Sequence, residues 1–234
     1  MCYTTPLRSA GTAHHVVKRR NDGSPCFFAD DDYLVYLDFL GESAERHRCA
    51  IHAYVLMPDH VQLLVSPDAE YRLSLMMRCV SGRYVEYMNY IYQRHGAFWE
   101  NGVKSTLLDS ERDLLACYRS IESTPVRACL VATPADYRWS SYNHHANGCA
   151  DTVIRDHPLY LKLGATQRER QPAYHELFSQ PSYDRVPAET GTSTNRGFAL
   201  DGNRFKDRIE QLARRVRPGS AGRPRTTEYA AAAA

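Results

Sequence analysis

Ala53-Tyr54-Val55-Leu56-Met57-Pro58-Asp59-His60-Val61-Gln62-Leu63-Leu64-Val65 decides the fold. It reads as two short strands joined at Pro58-Asp59. From His60 onward the residues alternate. His60, Gln62 and Leu64 share one face, and Val61, Leu63 and Val65 share the other. His60 and Gln62 therefore stand side by side, as two metal ligands on a strand must. An imidazole and an amide carbonyl suit Mg or Mn better than a closed zinc site. The same spacing also fits an ordinary half-exposed strand.

The chain has 234 residues, room for one good-sized domain with a tail or for two small domains. Its seven cysteines are odd in number, widely spaced and without a Cys-x-x-Cys pair, so reduced and mostly buried thiols are expected. No apolar run approaches a membrane span. Met1 to Gly11 lacks the pattern of a signal peptide. A cytoplasmic protein is the expectation. Net charge is +2, but it is unevenly spread. Eight basic and two acidic residues between Arg204 and Arg225 carry +6, leaving −4 on the rest. A basic tail on a mildly acidic body points to a polyanion, although a solvated helix end would look the same.

Taken in order, Gly11 to Asn21 reads as a strand and a basic turn, with Arg19 and Arg20 suited to phosphate oxygens. His14 and His15 are adjacent, so they face opposite sides and cannot chelate one ion together. Asp30-Asp31-Asp32 opens a helix to about Arg48. Strands are expected at Cys49 to Met57 and His60 to Ser66, and a second helix from Leu73 to about Tyr92. Its tyrosines (Tyr84, Tyr87, Tyr90, Tyr92) read as packing residues, some of which could stack on bases if DNA crosses this face. A strand at about Lys104 to Leu108 follows. A third helix runs from Glu111 to about Thr124, capped by Asp109 or Ser110 and closed by Pro125. The order strand–helix–strand–strand–helix–strand is the ferredoxin-like plan, an α+β fold with helices packed on an antiparallel sheet.

After residue 149 the signal thins. Ser179 to Gly197 reads as a linker. Arg204 to Val216 follows as a short basic helix, and Arg217 to Arg225 as an extended segment. Gly222-Arg223-Pro224-Arg225 is similar to the core of an AT-hook, which enters an A·T-rich minor groove. We therefore divide the chain into a domain over 1–148, an extension and linker over 149–200, and a basic DNA-binding tail over 201–234.

Tyr54-Val55-Leu56-Met57-Pro58-Asp59-His60-Val61-Gln62-Leu63-Leu64 closely resembles the central motif of the REP-associated tyrosine transposases, which cut and join single-stranded DNA. Phe98-Trp99-Glu100 and Trp139-Ser140-Ser141-Tyr142 are similar to further blocks of that family, in the same order. The resemblance implies a DNA transposase with an HUH-type site, acting on single-stranded or hairpin DNA of repetitive palindromes. It also implies a homodimer, a divalent Mg or Mn ion, and a location with the bacterial nucleoid in the cytoplasm. In the family, two strand histidines and a helix residue hold the ion, and a helix tyrosine attacks the phosphorus.

Three of those positions differ here. Gln62 stands for the second histidine, Thr124 for the helix ligand and Ser120 for the tyrosine. His60, Gln62 and Thr124 are the implied metal residues, with Ser120 in the nucleophile slot four residues before Thr124 and on the same helical face. Tyr118 is the nearest tyrosine. It lies about 200° round the helix from Ser120 and groups with the apolar Leu114, Leu115 and Ile121. It could act only through a helix bulge. An aliphatic hydroxyl is far less acidic than a phenol, so strand cleavage is expected to be weak or lost while DNA recognition persists. DNA contacts are assigned to Arg19, Arg20, Lys104, Arg127, Arg214, Arg215, Arg217, Arg223 and Arg225. An active enzyme using Tyr118, and a metal-independent nucleic-acid-binding regulator, are the alternatives.

Overall fold

The computed structural model describes residues 11–21, 24–69 and 71–179. The tail arginines from Arg214 to Arg225 lie outside them. The described chain forms β1 (His14–Arg19), α1 (Asp30–Arg46), β2 (Cys49–Met57), β3 (His60–Pro67), α2 (Arg72–Ile91), β4 (Lys104–Leu107) and α3 (Glu111–Glu122). Short helices α4 (Thr124–Arg127), α5 (Tyr142–Asn147) and α6 (Pro158–Leu161) follow, and α7 (Gln167–Ser179) is the last.

The four strands form one antiparallel sheet in the order β2-β3-β1-β4, the expected ferredoxin-like plan. Met57 pairs with His60, so Pro58 and Asp59 alone make the turn. Proline sets φ in advance at the first turn position, and aspartate suits the second. The register places Leu63 between Val16 on β1 and Tyr54 on β2. Val61, Leu63, Val65 and Val16 are fully buried. Helices α1 and α2 pack on each other and on the sheet, while α3 packs separately on β2 and β3.

Local chemistry explains the helix ends. Asp32 turns back so that its carboxylate accepts from Phe28 N and Ala29 N, satisfying donors that α1 itself leaves open. The same buried carboxylate accepts from the hydroxyls of Tyr87 and Tyr92. Tyr84 donates to the Cys26 carbonyl. Tyr84 and Tyr87 on α2 and Tyr92 just after it thus tie that helix to α1 and the segment before it, whereas Tyr90 is exposed. Ser110 caps α3, its Oγ accepting from Asp113 N.

Pro125 does not close the helical run as expected. It sits in the first turn of α4, where no intrahelical N–H is required of it. The bond from Ala128 N to Thr124 O carries the chain on past it.

The Trp139–Tyr142 block and the segment after it cover the free edge of β2. Leu56 N donates to Trp139 O, Ser141 N to Tyr54 O, and Arg155 N to Ile51 O. An edge hemmed in this way offers no template for another chain. From residue 150 to residue 179 the chain stays packed, with Ile154, Tyr160 and Tyr174 all in the core. Of the six described cysteines, Cys26, Cys49 and Cys117 are buried, but Cys129 and Cys149 are exposed, so the expectation of mostly buried thiols holds for half of them. No helix among the described residues is long and apolar enough to cross a membrane.

Candidate active site

The face of β3 carrying His60 and Gln62 meets the end of α3 and the start of α4. Register dictates the neighbours. Arg19 stands opposite His60, Val17 opposite Gln62, and His15 opposite Leu64, so β1 contributes His15 and Arg19 to the same face. Ser120 and Thr124 come from the helical run, four residues apart.

These groups form one continuous network. Asp59 Oδ1 lies 2.7 Å from His60 Nδ1 and accepts its proton, which leaves Nε2 as the acceptor. The Gln62 amide nitrogen donates to that Nε2 at 3.0 Å and to Thr124 Oγ1 at 3.2 Å. Gln62 Oε1 accepts from His15 Nε2 at 3.0 Å. Thr124 Oγ1 donates to Ser120 O at 2.8 Å. The Arg127 guanidinium donates to both Ser120 O and Thr124 Oγ1. His15, His60, Gln62, Ser120 and Thr124 are all under 9% exposed. Burial pulls the His15 pKa down to about 4, and it lowers that of His60 against the opposing pull of Asp59. Both rings are therefore neutral at pH 7.

The network tests whether an ion fits. In this arrangement the Gln62 N–H groups occupy the two lone pairs, on His60 and Thr124, that a cation needs. Turning the amide by 180° exchanges its oxygen and nitrogen. The set then becomes one imidazole nitrogen, one amide oxygen and one hydroxyl oxygen, with Asp59 orienting His60 from behind. In that orientation the residues fit a divalent ion, although all three ligands are neutral.

The remaining candidates fall in different places. Arg19 is partly exposed and 3.7 Å from Asp59, at the rim of the site. Arg127 is exposed apart from the group that anchors it. Lys104 pairs with Glu100 at 2.9 Å on a partly open edge.

Arg20, also read as a phosphate contact, is 6% exposed, donates to the Pro25 carbonyl and lies over the Phe98 ring. Tyr118 is fully buried, its ring edge-on to His145 and Tyr174. Burial raises its pKa well above that of a free phenol. A substitute nucleophile needs the opposite. No histidine or carboxylate among the described residues bonds the Ser120 hydroxyl.

Two residues escaped the reading of the sequence. Asp59, taken as a turn residue, sets the tautomer of His60. Glu122 is fully buried and accepts from Ser141 Oγ, His145 Nδ1 and Tyr174 Oη. Its signal was present: it lies four residues after the core Tyr118, and a carboxylate on a buried stripe requires donors.

Residues 10–118 match the model of a family described as transposase, IS200 like. The match ends two residues before Ser120. Among solved structures, the chain is similar to a REP-associated tyrosine transposase bound to a REP hairpin, with a TM-score of 0.55 and 14% identity. The alignment covers 67% of this chain and 93% of that one. No curated protein matches.

Proposed function

We propose that the chain, which matches the IS200-like transposase model over residues 10–118, is a member of that family that binds single-stranded or hairpin DNA and cleaves it weakly or not at all. The observation that carries this reading is Ser120 in the nucleophile slot, an aliphatic hydroxyl that no histidine or carboxylate among the described residues bonds. In one orientation of its amide Gln62 donates to His60 and Thr124, and in the other it offers its oxygen beside theirs.

DNA would lie along the rim marked by Arg19, Lys104 and Arg127, whose charges suit backbone phosphates. The tail arginines Arg214, Arg215, Arg217, Arg223 and Arg225 would add sequence-independent attraction, with Arg223 and Arg225 suited to an A·T-rich minor groove. The similarity to a hairpin-bound transposase supports a palindromic hairpin as the ligand, and a place with the nucleoid belongs to the same proposal. A homodimer is part of the same proposal.

A Mg or Mn ion would be held by His60, the turned amide of Gln62 and Thr124. When bound, such an ion polarises the scissile phosphate. The protein's own residues orient and screen. Asp59 holds the His60 tautomer, His15 holds the Gln62 amide, and Arg127 holds the turn that carries Ser120 and Thr124.

The test is incubation of the full chain with a labelled single-stranded palindromic hairpin and Mn, run on native and denaturing gels in parallel. We expect a native shift with no covalent adduct. An adduct abolished by Ser120→Ala would overturn the proposal, as would the absence of any shift.

A further inference from the structure

A second cluster of metal-ligating side chains lies away from β3, where α5 meets the segment leading into α6. His144, His145 and Asp156 each offer a ligand atom, and the three atoms lie within 4.8 Å of one another. His144 Nε2 is 3.1 Å from Asp156 Oδ1. Two ligands on one tetrahedral ion with bonds of about 2.0 Å stand roughly 3.3 Å apart, so this pair already has the required spacing.

The ring nitrogens are assigned by their other bonds. His144 Nδ1 lies 2.9 Å from the Cys149 carbonyl, which can only accept, so Nδ1 carries the proton and Nε2 the lone pair. His145 Nδ1 lies 2.8 Å from the Glu122 carboxylate, which likewise leaves Nε2 with a lone pair. That Nε2 is buried with no hydrogen-bond partner among the described residues, in a side chain of zero exposure. A buried acceptor left unpaired is destabilising, so its persistence needs an explanation. A histidine held through Nδ1 by a carboxylate or a carbonyl, with Nε2 turned inward, is how proteins prepare imidazole for a metal.

We propose that His144 Nε2, His145 Nε2 and the Asp156 carboxylate bind one divalent transition ion of the zinc class, with water completing the shell. Two imidazoles and one carboxylate select such an ion over Mg. Asp156 in the shell and Glu122 behind His145 offset its charge. The ion would tie α5 to the strand-like segment at Ile154–Arg155 that covers the edge of β2, and so act on the stability of the fold. It is independent of the site at His60 and of the DNA reading.

The experiment uses the untagged full chain, loaded with zinc or cobalt(II), gel-filtered, and measured for bound metal and for the visible cobalt spectrum. The partly exposed ligands allow mild variants, His144→Ala and Asp156→Asn, and His60→Ala serves as the control. We expect about one zinc per wild-type chain, a low-symmetry cobalt spectrum and a higher Tm. Affinity should fall at least about tenfold in His144→Ala and Asp156→Asn and stay unchanged in His60→Ala. Failure of the wild-type chain to retain zinc would overturn the proposal. So would equal retention by the two ligand variants, or loss of the ion in His60→Ala.

Discussion

At the scale of single residues, Gln62 decides what the site can do. Its amide donates where an imidazole would accept, and so it ties down His60 and Thr124 with protons. Gln62→His removes those donors and supplies a second nitrogen ligand. Binding of Mn(II), followed by electron paramagnetic resonance, should tighten by about tenfold or more in this variant. Equal affinity would mean that the amide does not obstruct the ion. Glu122 is the other decisive residue. Glu122→Ala leaves three buried donors unpaired and should cost on the order of 3 kcal/mol, a fall in Tm of roughly 10 °C in thermal denaturation. The surface carboxylate Glu111, paired with Lys162, is the comparison, and its alanine variant should move Tm by little. Similar losses at both positions would remove Glu122 from its central place.

At the scale of elements, β2 and β3 were legible because alternation and a Pro-Asp turn leave one register that buries Val61, Leu63 and Val65. The expected bounds of the strands and long helices lie within a few residues of those observed. The continuation past Pro125 was not legible, because a proline reads as a stop until its position in the first turn is known. The inward turn of Arg20 was also hidden. Whether a guanidinium faces solvent or stacks on Phe98 is decided by a residue 78 positions away. His52 shows how β2 joins its neighbours. It bonds the Arg155 carbonyl and Ser66 Oγ, and burial lowers its pKa to about 4. Between pH 6.5 and 4 the unfolded chain binds a proton there that the folded chain does not. Its contribution to stability is therefore complete above pH 6.5 and is lost as the pH falls. Tm measured from pH 7 to 4.5 should fall less steeply in His52→Gln than in the wild type. Parallel curves would contradict this.

At the scale of the whole molecule, charge and shape divide the work. The described fold presents a few cations at the rim of a closed polar site, while the basic excess lies between Arg204 and Arg225. Deleting residues 217–225 removes three arginines. It should weaken hairpin binding and flatten the dependence of log affinity on log salt, by about 0.7 per lost phosphate contact on a single strand. An unchanged slope would take the tail out of the interface. The fold class was legible from element order. The candidate site was legible only in outline, since Ser120 could be named from the motif while the network around its carbonyl depends on side chains from three separate elements.

The most direct measurement compares the wild-type chain with the triple variant Gln62→His, Ser120→Tyr, Thr124→Asn in one covalent-adduct assay on hairpin DNA with Mn. We expect both to bind, only the triple variant to form an adduct, and Tyr118→Phe to change neither. An adduct of equal yield in the wild type would contradict the account, because a working nucleophile would then already be present.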